Sequence, residues 1–190
     1  MSSPPVPPLA TRGSSTSSAL TLTARRPVLL ILGLIAAATV LGAIAAALVP
    51  ELGPSRGPRP TLHGTPGETL AIFVTNTRSL IAPLLLTAGR WHTARITRIV
   101  GDVVVMAIVT VNPLLVGLAL GRYPAELPRY LPHLALEDLA LAIAASAWIT
   151  RRLPRPAGDR PRGVVRCALL TLAVAALAAL VEVYAVPHAS

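Results

Sequence analysis

The chain has 190 residues, 53% of them hydrophobic and only 3% aromatic, with a formal net charge of +9. A soluble domain of this length would alternate shorter amphipathic segments, so repeated unbroken apolar runs of about 18 or more residues exclude that class. The positive balance is all arginine, because neither lysine nor glutamine occurs. These arginines sit between apolar runs, so membrane topology explains them better than nucleic-acid binding does.

The arginine bias, with abundant alanine and proline, points to a GC-rich bacterial genome. The single Cys167 excludes an intramolecular disulfide and a thiolate metal cluster.

Residues 1–26 are rich in Ser, Thr and Pro. Such a segment buries no core and is expected to be a disordered cytoplasmic tail. A signal peptide is the competing reading, because Arg25 and Arg26 precede an apolar run ending in Ala45, Ala46 and Ala47. That run extends from Pro27 to Val49, well beyond a usual signal-peptide core of about 7–15 residues. A retained first span over 28–49 follows. Within it Ala38, Gly42 and Ala46 share one helix face, and small residues at that spacing let another helix approach closely. An alanine-rich helix also shows this spacing by chance.

A loop at 50–67, dense in Pro and Gly, precedes a second span at about 68–87, the least apolar of the set. Further spans follow at about 99–121, 130–150 and 165–186. Each is ~20 residues or slightly more, enough at ~1.5 Å per residue to cross a ~30 Å hydrocarbon layer. The predicted fold class is therefore all-α: a multi-pass transmembrane bundle of about five spans occupying 27–187. The segment Arg90–Arg98 mixes basic and apolar residues and is expected on the inner leaflet, with Trp91 at the interface.

The arginines set the expected orientation. With the N-terminus in the cytoplasm, the inner segments hold Arg12, Arg25, Arg26, Arg90, Arg95, Arg98, Arg151, Arg152, Arg155, Arg160, Arg162 and Arg166. The outer loops hold Arg56, Arg59, Arg122 and Arg129. Twelve against four is a positive-inside bias, and five spans then place the C-terminus outside.

Polar residues inside the spans carry the functional signal. A charged side chain at a bilayer centre costs roughly 2.5–3.5 kcal/mol even on the lenient insertion scale, so such residues face a protein interior or a wet cavity. The candidate cluster is Asn76, Arg78, Asn112, His133, Glu137 and Glu182. In the expected orientation Asn76 and Arg78 lie ~12–15 Å below the outer surface, Asn112 ~14 Å, Glu137 ~10 Å and Glu182 ~6 Å. Residues from four helices thus converge on the outer half of the membrane. Asp102 falls near the cytoplasmic end of the third span, at the interface.

Arg78 needs a partner if buried, and Glu137 and Glu182 are the best candidates by depth. A structural ion pair pinning helices together is the favoured arrangement over a transport site. His133 and Glu137 share a helix face, but no further His or Cys completes a metal site, so no metal is expected. His133 either caps the start of the fourth span at headgroup level, just after Pro132, or has a functional role. Pro113 after Asn112 removes a backbone hydrogen bond and is expected to kink the third span. No catalytic or nucleotide-binding motif is present, so neither enzymatic activity nor a cofactor is expected.

The ordered motifs resemble a known family. Pro132-His133-Leu134-Ala135-Leu136-Glu137 is similar to the Pro-His-Gly-x-x-Glu motif of the stage II sporulation protein M family. Phe73-Val74-Thr75-Asn76-Thr77-Arg78 resembles its Phe-x-x-Asn-Asn-x-Arg-like segment, and Asn112 with Gly117 its Asn-Gly span. Ala178-Ala179-Leu180-Val181-Glu182 through Pro187 resembles its closing Ala-Ala-x-x-Glu-x-x-x-Thr-Pro. The resemblance covers roughly residues 65–187. Leu134 stands for the motif glycine, Thr77 for the second asparagine and Pro113 for the glycine after Asn112, which marks a divergent member.

The resemblance implies a multi-pass protein of the cell membrane without known catalysis. The best-known relatives work with peptidoglycan-degrading partners during spore engulfment, and many others occur where no spores form. Two functional expectations follow. One is a membrane scaffold that organises an envelope-remodelling complex, with membrane-protein partners, a second copy or cell-wall hydrolases bound to it. The other is a small-solute or lipid transporter whose path runs through the polar cluster. Five spans in 190 residues make a thin bundle, which favours a scaffold or an oligomer.

Overall fold

The computed structural model describes residues 16–49, 51, 65–89, 94–123, 127–151 and 160–184. These residues form five α-helices and no strand: α1 (Thr16–Leu48), α2 (Pro66–Ala88), α3 (Arg95–Arg122), α4 (Leu127–Arg151) and α5 (Arg160–Tyr184). Each contains a stretch long and apolar enough to cross a membrane. The chain is therefore an all-helical protein of the multi-pass membrane type.

Most helix bounds fall within a few residues of the sequence expectation. The difference at the N-terminus is larger, because α1 begins at Thr16, inside the segment 1–26 read as disordered. No Gly or Pro interrupts Thr16–Arg26. Pro27 then sits inside the helix, where it removes one backbone bond without ending it. Residues 1–15, most of the 50–64 loop, Trp91, residues 152–159 and the C-terminal residues after Tyr184 lie outside the described residues.

The start of α2 is set by local chemistry. Thr65 Oγ1 accepts from the Glu68 backbone N–H at 3.2 Å, and a Glu68 carboxylate oxygen accepts from the Thr65 backbone N–H at 2.9 Å. This reciprocal cap satisfies two donors that a helix start leaves open, and Pro66 at the first helical position needs no donor partner.

Helix α4 is the axis of the bundle and packs against all four others. Its most apolar window is 61% buried, against 11–22% for the other helices, yet it has the lowest mean hydropathy, 1.2. In lipid this ordering is physical: hydrocarbon already solvates apolar side chains, so small and polar ones go inside. Ala140, Ala142, Ala144 and Ala145 are fully buried. Their small side chains let neighbouring backbones close in. Ile31, Ile35, Leu80, Val105, Val109 and Trp148 fill the space around them.

Helices α1 and α3 run parallel in close backbone contact. Gly117 packs on the Thr39 carbonyl and on Ala43, and Gly121 packs on Ala43. Gly42 packs against Leu114, Gly117 and Leu118. A Cβ at any of these three glycines would overlap main-chain atoms of the facing helix. The small-residue face of the first span is therefore a packing face; Gly42 and Ala46 are buried in it, and Ala38 lies at its edge.

Helix α2 breaks the pattern set by α4. Its mean hydropathy, 1.4, is the second lowest, but its window is only 11% buried, the least of the five. One narrow face, with Leu80, Pro83 and Thr87, is buried against the bundle.

Candidate functional site

The polar residues of three helices meet beside α4. Asn76 and Ser79 are three residues apart on α2 and so share a face. Asn76 Nδ2 donates to Glu137 Oε1 on α4. Asn112 Nδ2 on α3 donates to Ser79 Oγ at 3.2 Å. One face of α2 is thereby tied to α4 and α3 at once. Glu182 on α5 and Asp138 on α4 lie close enough to Glu137 for their charges to act on it.

These groups border a half-open cavity of about 350 Å³. Asn76, Ser79, Asn112, Glu137 and Asp138 supply its polar lining, and Leu80, Pro113, Leu134, Leu141 and Ala175 supply apolar walls. The exposed Leu115 lies at its edge on α3, so the cavity opens towards the outer surface of the bundle. Its size is near the lower end of the ~300–1,000 Å³ typical of small-molecule sites. The lining is rich in acceptors and carries no cationic side chain. It could receive a small solute that offers hydrogen-bond donors or positive charge.

Five of the six sequence candidates map to this region. Asn76, Asn112 and Glu137 line the cavity, and Glu182 acts on Glu137 from α5. His133 is buried one turn before Glu137 but does not line the cavity. His133 does not cap the helix: α4 starts at Leu127, so Pro132 lies inside the helix and His133 past its first turn, although His133 is still near the start of the apolar span at Leu131.

Arg78 is the correction that matters most. It is exposed, whereas Asn76 is partly buried in the polar layer. Two residues along a helix turn the side chain by about 200°, so Asn76 and Arg78 point to opposite sides of α2. The ion pair expected between Arg78 and Glu137 or Glu182 is not formed among the described residues. Glu137 takes its hydrogen bond from Asn76 instead. Among the described residues Arg78 is the one exposed charge away from the ends of a span.

Ser79 was missed in the sequence: it lines the cavity and shares the Asn76 face. Asp138, a polar residue of the fourth span outside the candidate cluster, also lines it, next to Glu137. Asp102 is not merely interfacial, because Trp148 Nε1 donates to its Oδ1 at 3.0 Å. Trp148 is 1% exposed and lies over Gly101, where a Cβ would come within 2.5 Å of the indole ring. Gly101 therefore makes room for the ring that Asp102 anchors.

Among the described residues no group of three or more His, Cys, Asp or Glu side chains is arranged to hold a metal ion. Comparison with protein-family models, curated proteins and solved structures finds no match.

Proposed function

We propose that the protein is a membrane scaffold of the stage II sporulation protein M-like type, which holds a partner in the cell membrane and organises an envelope-remodelling complex around it. The observation that carries this reading is the outward face of α2. In a bundle surrounded only by lipid, the more polar spans belong inside, and α4 obeys that rule. Helix α2 has nearly the same mean hydropathy and is the least buried helix. A protein surface against it restores the balance. The polar bonds Asn76–Glu137 and Asn112–Ser79 fix the angle at which that face is presented.

The arginine asymmetry supports an orientation with the N-terminus in the cytoplasm and the C-terminus outside. The resemblance of residues 65–187 to the sporulation family supports envelope partners, peptidoglycan hydrolases among them.

Purification of the full chain from native membranes in mild detergent tests the scaffold. It predicts one membrane or envelope protein recovered in stoichiometric amount. A chain recovered alone, at full stability, contradicts it.

The cavity favours a second reading, a transporter for a small solute. That reading predicts a Glu137→Gln protein that remains stable but no longer supports solute movement, and a functional protein that needs no partner.

A further inference from the structure

We infer that the outer face of α2 docks a transmembrane helix of a different protein, and that this helix carries an aspartate or glutamate at the depth of Arg78. The inference rests on the scaffold reading and names the chemistry of the partner.

Arg78 lies 12 residues after Pro66 and 10 before Ala88. At ~1.5 Å per residue the nearer helix end is ~15 Å away, too far for the guanidinium to snorkel fully to water. The surrounding face is apolar, with Leu70 62%, Val74 46%, Ile81 44% and Leu85 61% exposed. Thr75 offers little to a charge, because its hydroxyl donates to the Ala71 carbonyl at 2.9 Å. The face is thus an apolar stripe with a single cation at its middle. Lipid tails match the stripe and fail the cation. A helix with apolar contact positions and one carboxylate matches both.

A second copy of the chain does not supply that carboxylate. Among the described residues the acids within the spans near this depth are Glu137, Asp138 and Glu182, all partly buried within the bundle, with Glu137 and Asp138 lining the cavity. A two-fold contact of α2 with α2 would set Arg78 against Arg78. The occupant is therefore another protein.

The test uses the full chain in lipid nanodiscs and a synthetic Leu/Ala transmembrane helix with one central Asp, compared by fluorescence transfer with the same helix carrying Leu or Lys there. The Asp helix is expected to bind about ten-fold more tightly than the Leu helix, and the Lys helix no better than the Leu helix. Arg78→Leu removes the preference, and Arg78→Lys keeps it. Thermal melts of both variants guard against misfolding. Equal binding of the Asp and Leu helices overturns the inference, as does a preference that survives Arg78→Leu. Self-association of the chain that displaces the Asp helix also overturns it, in favour of a second copy. If a stoichiometric partner still co-purifies while the Asp preference is absent, the charge-matching inference fails and the scaffold reading stands.

Discussion

Replacing Gly117 with alanine tests whether the α1–α3 contact is as close as the bundle requires. The new Cβ would overlap the Thr39 carbonyl and sit 3.0 Å from the Ala43 nitrogen. Both are main-chain atoms, so no rotamer change relieves the overlap, and the helices must move apart. Overpacking of this kind costs about 1–3 kcal/mol. Alanine's better helix propensity returns up to about 1 kcal/mol. Gly33→Ala supplies the reference, because a Cβ there meets nothing within 4 Å. The propensity gain is common to both variants, so their difference isolates the packing cost of about 1–3 kcal/mol. Reversible unfolding in bicelles, followed by steric trapping or by helix signal against added SDS, measures it. A Gly117→Ala protein within about 0.5 kcal/mol of Gly33→Ala would refute the close contact.

The other predictions concern the polar groups. Glu137→Leu leaves the Asn76 amide without its acceptor and should cost about 1–3 kcal/mol, while Asn76→Leu combined with it should be milder than the sum, measured by a double-mutant cycle on the same unfolding assay. Arg78→Leu should change bundle stability by less than about 0.5 kcal/mol and show no coupling to Glu137; strong positive coupling would restore the ion pair. Gly101→Ala should lower the melting temperature, and adding Trp148→Leu should recover part of the loss, because the smaller side chain makes room for the methyl group; no recovery would mean that Trp148 is not what Gly101 accommodates. A periplasm-active reporter should be active after Ser190 and inactive after Arg155; the reverse pattern would invert the proposed orientation.

The spans were readable because lipid imposes length and apolarity on each helix separately, and neither depends on the neighbours. The polar layer was partly readable, since Asn76, Asn112, Glu137 and Glu182 are rare residue types at similar depths. Depth along a helix says nothing of the direction around it, and Arg78 shows the consequence. It shares the depth of Asn76 but faces the opposite side of α2. The fourth span was readable, with its apolar stretch beginning at Leu131, but Pro132 looks like a helix-starting proline, whereas the helix already begins at Leu127. The glycine contacts were legible as small residues on one face, but their partner helix was not, because choosing α3 over α5 needs the packed structure. Trp148 over Gly101 likewise joins positions far apart in sequence, with no local pattern to announce it.

The proposed scaffold requires a protein-covered outward face on α2, whereas α5, with a mean hydropathy of 2.4, suits a face turned to lipid. Site-specific photo-crosslinkers in native membranes measure this directly, placed in turn at the exposed positions Val74 and Ile81 on α2 and Leu169 and Leu177 on α5. The account predicts a discrete polypeptide adduct from both α2 positions, of a mass unlike that of two chains, and lipid adducts alone from α5. Lipid adducts alone from Val74 and Ile81 would contradict it.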